Sequence, residues 1–181
     1  RYFAALFGFT VSLLIGPQTA VVAQTLESRL KQQSPQSLAK QALETGDAKR
    51  GAVLFHQRFM SCVLCHVERE GERGGTLGPR LVALDEKPAA EKIVEAILTP
   101  SKTLRKGFES YVLVTVDGRA INGILRNRTA QFVEMAVLDK GGQVERFAVE
   151  DIDELFASKQ SIMPAGLVNQ LASPQQFLDL V

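Results

Sequence analysis

The two cysteines of this 181-residue chain stand three positions apart, with a histidine directly after the second: Cys62-Val63-Leu64-Cys65-His66. No other feature limits the fold as much. A disulfide framework needs more bridges across longer loops, and a bridge spanning two residues is strained. The same spacing suits covalent haem. Two intervening residues let the thiols reach vinyl groups on neighbouring pyrroles, and a histidine immediately after lies under the iron. A zinc site needs four ligands, and beyond Cys62, Cys65 and His66 the chain's only other Cys or His is His56. A thioredoxin-like dithiol follows a strand in a βαβ unit, whereas here a helix is predicted before the motif.

Residues 1–23 read as an address. Arg1 precedes a nearly unbroken apolar run from Tyr2 to Ile15, Gly16-Pro17 interrupts it, and Ala20-Val21-Val22-Ala23 places small residues where a signal peptidase cuts. This pattern predicts a secretory signal peptide cleaved before Gln24. The run is short against the ~20 residues of a membrane span, so membrane attachment is expected only if the segment stays uncleaved. Export supports the haem reading independently, because this attachment chemistry takes place outside the cytoplasm, and a periplasmic or other extracytoplasmic location is expected. The chain starts at Arg1 rather than Met and stops inside its last predicted helix, so both ends are expected to continue. The formal charge of +1 becomes zero once Arg1 is removed with the leader. No basic field remains to attract nucleic acid.

Along the mature chain, residues 24–46 are expected to form an N-terminal arm: a polar, loose stretch from Gln24 to Gln36, then a short helix from Ser37 to Thr45 ended by Gly46. Asp47 is a suitable N-cap for a helix from about Ala48 to Phe59. Gly71 to Pro79 holds four glycines and predicts a tight loop. Pro88 opens another helix, with Ile93, Val94, Ile97 and Leu98 on its apolar side, and Pro100 stops it. From Glu109 the period becomes that of strands: Tyr111–Val116, Ile121–Arg126, Phe132–Leu138 and Val144–Val149, with Asp117-Gly118 as a hairpin turn. A short helix is expected over Asp151–Phe156, then a loop from Ile162 to Leu167, then a helix capped by Ser173 with Pro174 first. The predicted class is α+β: a mainly helical haem domain over 47–181 with a four-stranded antiparallel β meander inserted at about 109–150.

Haem iron in electron-transfer proteins usually takes a second axial ligand, often Met. Met60 is held too near the haem edge, two residues before Cys62. Met135 lies mid-strand and reads as packing. Met163, on a short proline-containing loop, is the expected ligand, since a soft thioether suits haem iron. His56 is the rival, but it sits in the helix leading into the motif and would have to bend back. The expected metal ligands are therefore His66 and Met163. An axial imidazole also needs an acceptor for its other N–H. The backbone carbonyl of Pro79 is the best candidate, and glycines at 74, 75 and 78 would let the backbone pass close.

Gly51 and Phe55, Cys62-x-x-Cys65-His66, Gly78-Pro79-x-Leu81, Met163-Pro164 and the aromatic-bearing last helix resemble class I cytochrome c. That resemblance implies crossed first and last helices, with Gly51 allowing close approach and Phe177 packing at the crossing. The chain is more specifically similar to the putative haem-binding domain of Pirellula/Verrucomicrobium type. The strings that carry this likeness are Gly51–Phe55, Gly71–Pro79, Ile97–Lys102, Gly107–Tyr111, Asp117-Gly118, Asn122-Gly123 and Ser161–Leu167, which together span about residues 47–181. Arg80 departs from the Asp or Asn usual after Gly-Pro, and a haem propionate is a fitting partner for its guanidinium. Ala165 replaces a common Glu.

The resulting expectation is covalently attached haem c serving one-electron transfer with redox partner proteins. A filled coordination sphere makes a carrier rather than a catalyst. Two alternatives stay open: an open-site haem sensor or peroxidase-like enzyme, and an interaction module built on the strands in which haem is structural.

Overall fold

A computed structural model of the chain describes residues 24–67, 77–84 and 86–181. The expected leader over residues 1–23 and the glycines at 71, 74 and 75 lie outside these residues.

Five helices build the first layer: α1 (Leu26–Leu30), α2 (Pro35–Thr45), α3 (Ala48–Phe55), α4 (Ala90–Leu98) and α5 (Pro174–Leu180). Each of α1, α2, α3 and α5 starts at a side-chain cap, from Thr25, Ser34, Asp47 and Ser173 respectively. These caps satisfy N–H groups that a helix start leaves without partners. α3 and α5 have 8 and 7 residues, too short to persist alone in water. They persist by packing: α3 lies on α5, and α2 lies on both α4 and α5. The core between them holds Leu30, Leu38, Leu54, Met60, Val94, Leu98, Val168 and Phe177.

Two sequence expectations change in this layer. The stretch 24–36 is not a loose arm, because α1 forms there and Leu30 is among the most buried residues. α3 ends at Phe55 rather than Phe59, and the chain then turns so that Met60 enters the core.

The fold class also needs correction. The sheet has five antiparallel strands, not four, in the order β4-β3-β2-β1-β5. The strands are β1 (Ser110–Thr115), β2 (Ala120–Arg128), β3 (Phe132–Val137), β4 (Gln143–Ala148) and β5 (Ile152–Ala157). The protein is therefore α+β with a sheet as substantial as its helical layer, not a mainly helical fold carrying a four-stranded insertion. The residues expected to form a helix, Asp151–Phe156, instead supply the fifth strand, which pairs with β1. The physical reason is a bulge. Val114 faces Glu154 while Thr115 faces Ile152, so Asp153 is skipped. A bulge brings residues three apart onto one face of a strand, and Ile152 and Leu155 both pack into the sheet core. A spacing of three reads as a helix in sequence.

That sheet core contains Leu113, Val133, Met135 and Val137, with Phe147 from β4 and Ile152 and Leu155 from β5 around them. Leu113 and Met135 are wholly buried. No helical residue contributes to this cluster among the described residues. The opposite face meets the helical layer through a small seam of Leu77, Ile124 and Ala136, against which Cys65 and Ile162 pack.

Candidate functional site

The cysteine motif forms a single 3-10 turn, Cys62–Leu64, directly after the buried Met60. Ser61 enters the turn at φ 59°, the one non-glycine residue with positive φ among the described residues. That conformation costs about 1–2 kcal/mol for an L-residue, and such cost persists where surrounding structure enforces it. Here the anchor is Met60 on one side. On the other, the Cys62 carbonyl accepts from the backbone N–H of Cys65 at 3.2 Å and of His66 at 2.9 Å.

The turn sends its cysteines to different places. Cys62 packs on the helical core, and its thiol donates to the Met60 carbonyl at 3.6 Å. Cys65 packs on the seam with the sheet. Both are free thiols and half-buried. Burial pushes both thiols up from their ordinary value, and for Cys62 the neighbouring Cys65 adds to the effect. Reactive dithiols require the opposite shift. No strand precedes the motif among the described residues, so the thioredoxin-like reading lacks its βαβ setting. Among the described residues no group of three Cys, His, Asp or Glu side chains is arranged to hold a metal ion.

His66 is held from the side opposite the turn. Its Nδ1 lies 2.9 Å from the Pro79 carbonyl oxygen. A carbonyl only accepts, so Nδ1 carries a proton, and in the neutral ring the lone pair is on Nε2. This is how ligating histidines are commonly oriented. Gly78 permits the approach. A Cβ there would lie 3.0 Å from His66 Cε1, 3.1 Å from Nδ1 and 3.1 Å from the Cys65 carbonyl oxygen.

An open cavity of about 330 Å³ adjoins His66, with Phe55 and His56 from the end of α3, Leu81 and Val82 from the turn after Pro79, and Leu180 and Val181 at the end of α5. Phe55 neighbours both histidines, with its ring centroid 6.5 Å from that of His66 and 5.5 Å from that of His56. Of these walls, Leu81 and Val82 are exposed, Val82 at 72%. Large apolar side chains left in solvent around a cleft mark a surface that a partner or ligand covers.

The remaining predicted residues divide. Arg80 is half-buried and precedes the 3-10 turn Leu81–Ala83. Met163 is half-buried, its backbone N–H donating to Ser161 Oγ at 3.1 Å. Its neighbour Ile162 shares the seam with Cys65, but Met163 is not among the walls of the cavity. Met135 is wholly inside the sheet core and Met60 inside the helical core. His56 is the exposed C-cap of α3.

One residue escaped the sequence reading. Asp179 is buried in α5, where it accepts from Arg50 Nε at 2.7 Å, Arg50 Nη2 at 2.8 Å, the Asp47 backbone N–H at 2.9 Å and Gln175 Nε2 at 3.0 Å. The Arg50 guanidinium, foremost, holds its carboxyl far below the usual range. It fastens α3 to α5 beside the cavity. Its sequence signal is an acid in the last turn of a helix, where the macrodipole disfavours negative charge unless a cation compensates.

No protein-family model matches this chain, and no curated protein matches it either.

Proposed function

We propose that this protein carries haem c on Cys62 and Cys65, with His66 Nε2 as an axial ligand, and that it works as an extracytoplasmic one-electron carrier. The observation that carries the reading is the seat of His66. A glycine-cleared approach and a carbonyl acceptor fix its ring with the Nε2 lone pair available, in the same short turn that holds two free thiols. The apolar cleft beside it suits a flat, largely apolar group. The donor set fits as well: two thiols for covalent attachment and one oriented imidazole. Bound there, haem supplies Fe(II)/Fe(III) exchange. The chain's own residues hold it, orient its ligand and limit water at the attachment face.

Met163 is the proposed second protein ligand, supported by a loop whose Ile162 packs on the same Leu77, Ile124 and Ala136 seam as Cys65. If Met163 holds the iron as His66 would, the haem would take no substrate and would supply electron transfer rather than catalysis. Other redox proteins are the proposed partners, docking through a small transient interface. The leader expected at residues 1–23 supports export. Among the described residues no helix is long and apolar enough to cross a membrane.

The test is export with haem-maturation machinery followed by a pyridine haemochrome assay. Covalent haem is expected in the unmodified protein and is lost in the double substitution Cys62→Ser, Cys65→Ser. Absence of covalent haem in the unmodified protein overturns the proposal. A Met-to-iron charge-transfer band that disappears in Met163→Ala supports the carrier. Rapid carbon monoxide binding by the unmodified reduced protein supports an open site instead.

A further inference from the structure

The sheet and the segment after α4 have no role in the reading above, yet both hold the stretch that carries Met163. Residues 158–163 lie between β5 and the 3-10 turn Leu167–Gln170, so no helix or strand ladder fixes them. Side-chain hydroxyls do so instead. Ser110, the first residue of β1, is one of three buried polar residues among the described ones. Its Oγ donates to the Gln160 carbonyl, and its own carbonyl accepts from the Ser158 backbone N–H at 2.8 Å. Ser101 follows the end of α4, and its Oγ accepts from the Ser161 backbone N–H at 3.0 Å. Ser161 Oγ in turn accepts from the Met163 backbone N–H at 3.1 Å.

Packing fixes the same stretch. Ser110 faces Ile124 in the β1–β2 register. Ile162 packs with Ile124, Leu77 and Ala136 on the seam that Cys65 shares. Met163 therefore directly follows a residue of the Cys65 seam, and its backbone is tied through Ser161 to Ser101. The strings Ile97–Lys102 and Ser161–Leu167, which carry the sequence likeness, are joined by the Ser101–Ser161 bond. Its partners are 60 positions apart, and those of the Ser110–Gln160 bond are 50 apart. Local preferences of the loop cannot set such contacts.

We infer that Ser101 and Ser110 are positioning residues for Met163, holding its loop in place for ligation. This rests on the haem reading with Met163 as a ligand, and it gives the sheet a role as the scaffold of that loop. A thioether is a neutral, soft donor. Its hold on the iron gains from a loop ordered before binding, because less freedom is then lost on binding. A loosened loop leaves the iron open for a larger fraction of the time.

The test reads the second ligand in the purified holoprotein, by the Met-to-iron charge-transfer band of the oxidised form and the carbon monoxide binding rate of the reduced form. Carbon monoxide enters where the thioether has left, so its rate follows the open fraction. Ser101→Ala and Ser110→Ala each remove one hydrogen bond. Each is expected to raise the rate about two- to tenfold and to weaken the band, with covalent haem content at the unmodified level. Ser101 is exposed, so its truncation opens no hole in a core. Ser101→Thr keeps the hydroxyl and restores both readings. Ser34→Ala removes a cap within the first turn of α2, a stability loss of similar size, and leaves both readings unmoved. In either alanine variant, a band and rate that move no more than those of Ser34→Ala at full haem loading overturn the role of that serine and leave Met163 as the ligand. A band that survives Met163→Ala overturns the ligand reading and this inference with it. Absence of covalent haem from the unmodified protein overturns the haem reading itself.

Discussion

One methyl group is enough to disturb the seat of His66. In Gly78→Ala the new Cβ meets the imidazole and the Cys65 carbonyl together. Neither has a free direction, since Pro79 holds the ring and the motif's own turn holds the backbone. A loss of about 1–3 kcal/mol is expected for such overpacking, read by denaturant unfolding. Gly51→Ala is expected to cost at least as much, about 3 kcal/mol or more. Its Cβ would fall 1.8 Å from the Asp179 backbone oxygen, so α3 and α5 have to separate. A Gly51→Ala protein as stable as the unmodified one would show that the crossing is not close. At this scale the sequence was informative wherever chemistry is local. The cysteine spacing, the histidine and the glycine before Pro79 are legible because neighbours in the chain are neighbours in the site. Asp179 was not legible as a partner of Arg50, since the two are 129 positions apart.

Helices and strands extend the same lesson. The caps of α3 and α5 read directly from Asp47 and from Ser173-Pro174, because a cap is a contact within one turn. The bond that joins these helices sits on Asp179, and its pH dependence has a definite sign. The folded carboxyl titrates below its unfolded value, so its stabilisation is complete above the unfolded Asp value of about 4. It is lost progressively as pH falls through and below that point. Asp179→Asn is therefore expected to be less stable than the unmodified protein at neutral pH, with the difference shrinking as the solution is acidified. Chemical unfolding at a series of pH values measures it, and a difference independent of pH would refute the assignment. β5 shows the reverse of the capping case. Its apolar spacing is that of a helix, and only pairing with β1 through the Val114/Thr115 register shift turns Ile152 and Leu155 to the same side. A bulge is a relation between two strands, so neither strand states it alone.

For the whole molecule, two cores matter: one among the helices and one within the sheet. They meet at Leu77, Ile124 and Ala136. Ile124→Ala removes the largest side chain that the sheet contributes to that seam. A loss of about 2–5 kcal/mol is expected for a truncation of this kind. Calorimetry should show the effect as a broadened or split transition, because the two layers lose their shared contact. A single sharp transition at the original temperature would mean that the seam contributes nothing to their coupling. The sequence by itself determined the caps of α3 and α5 and four of the five strands, since each depends on residues within a few positions. It also named both partners of the His66–Pro79 hydrogen bond, 13 residues apart. Only the tertiary structure decided the fifth strand, the Arg50–Asp179 bond at the α3–α5 crossing that the resemblance had implied through Gly51, the burial of Leu30 in a stretch read as a loose arm, and the turning of one sheet face toward Cys65. These depend on which distant surfaces meet, and burial of apolar area favours many such meetings without direction. Backbone pairing and packing then select among them.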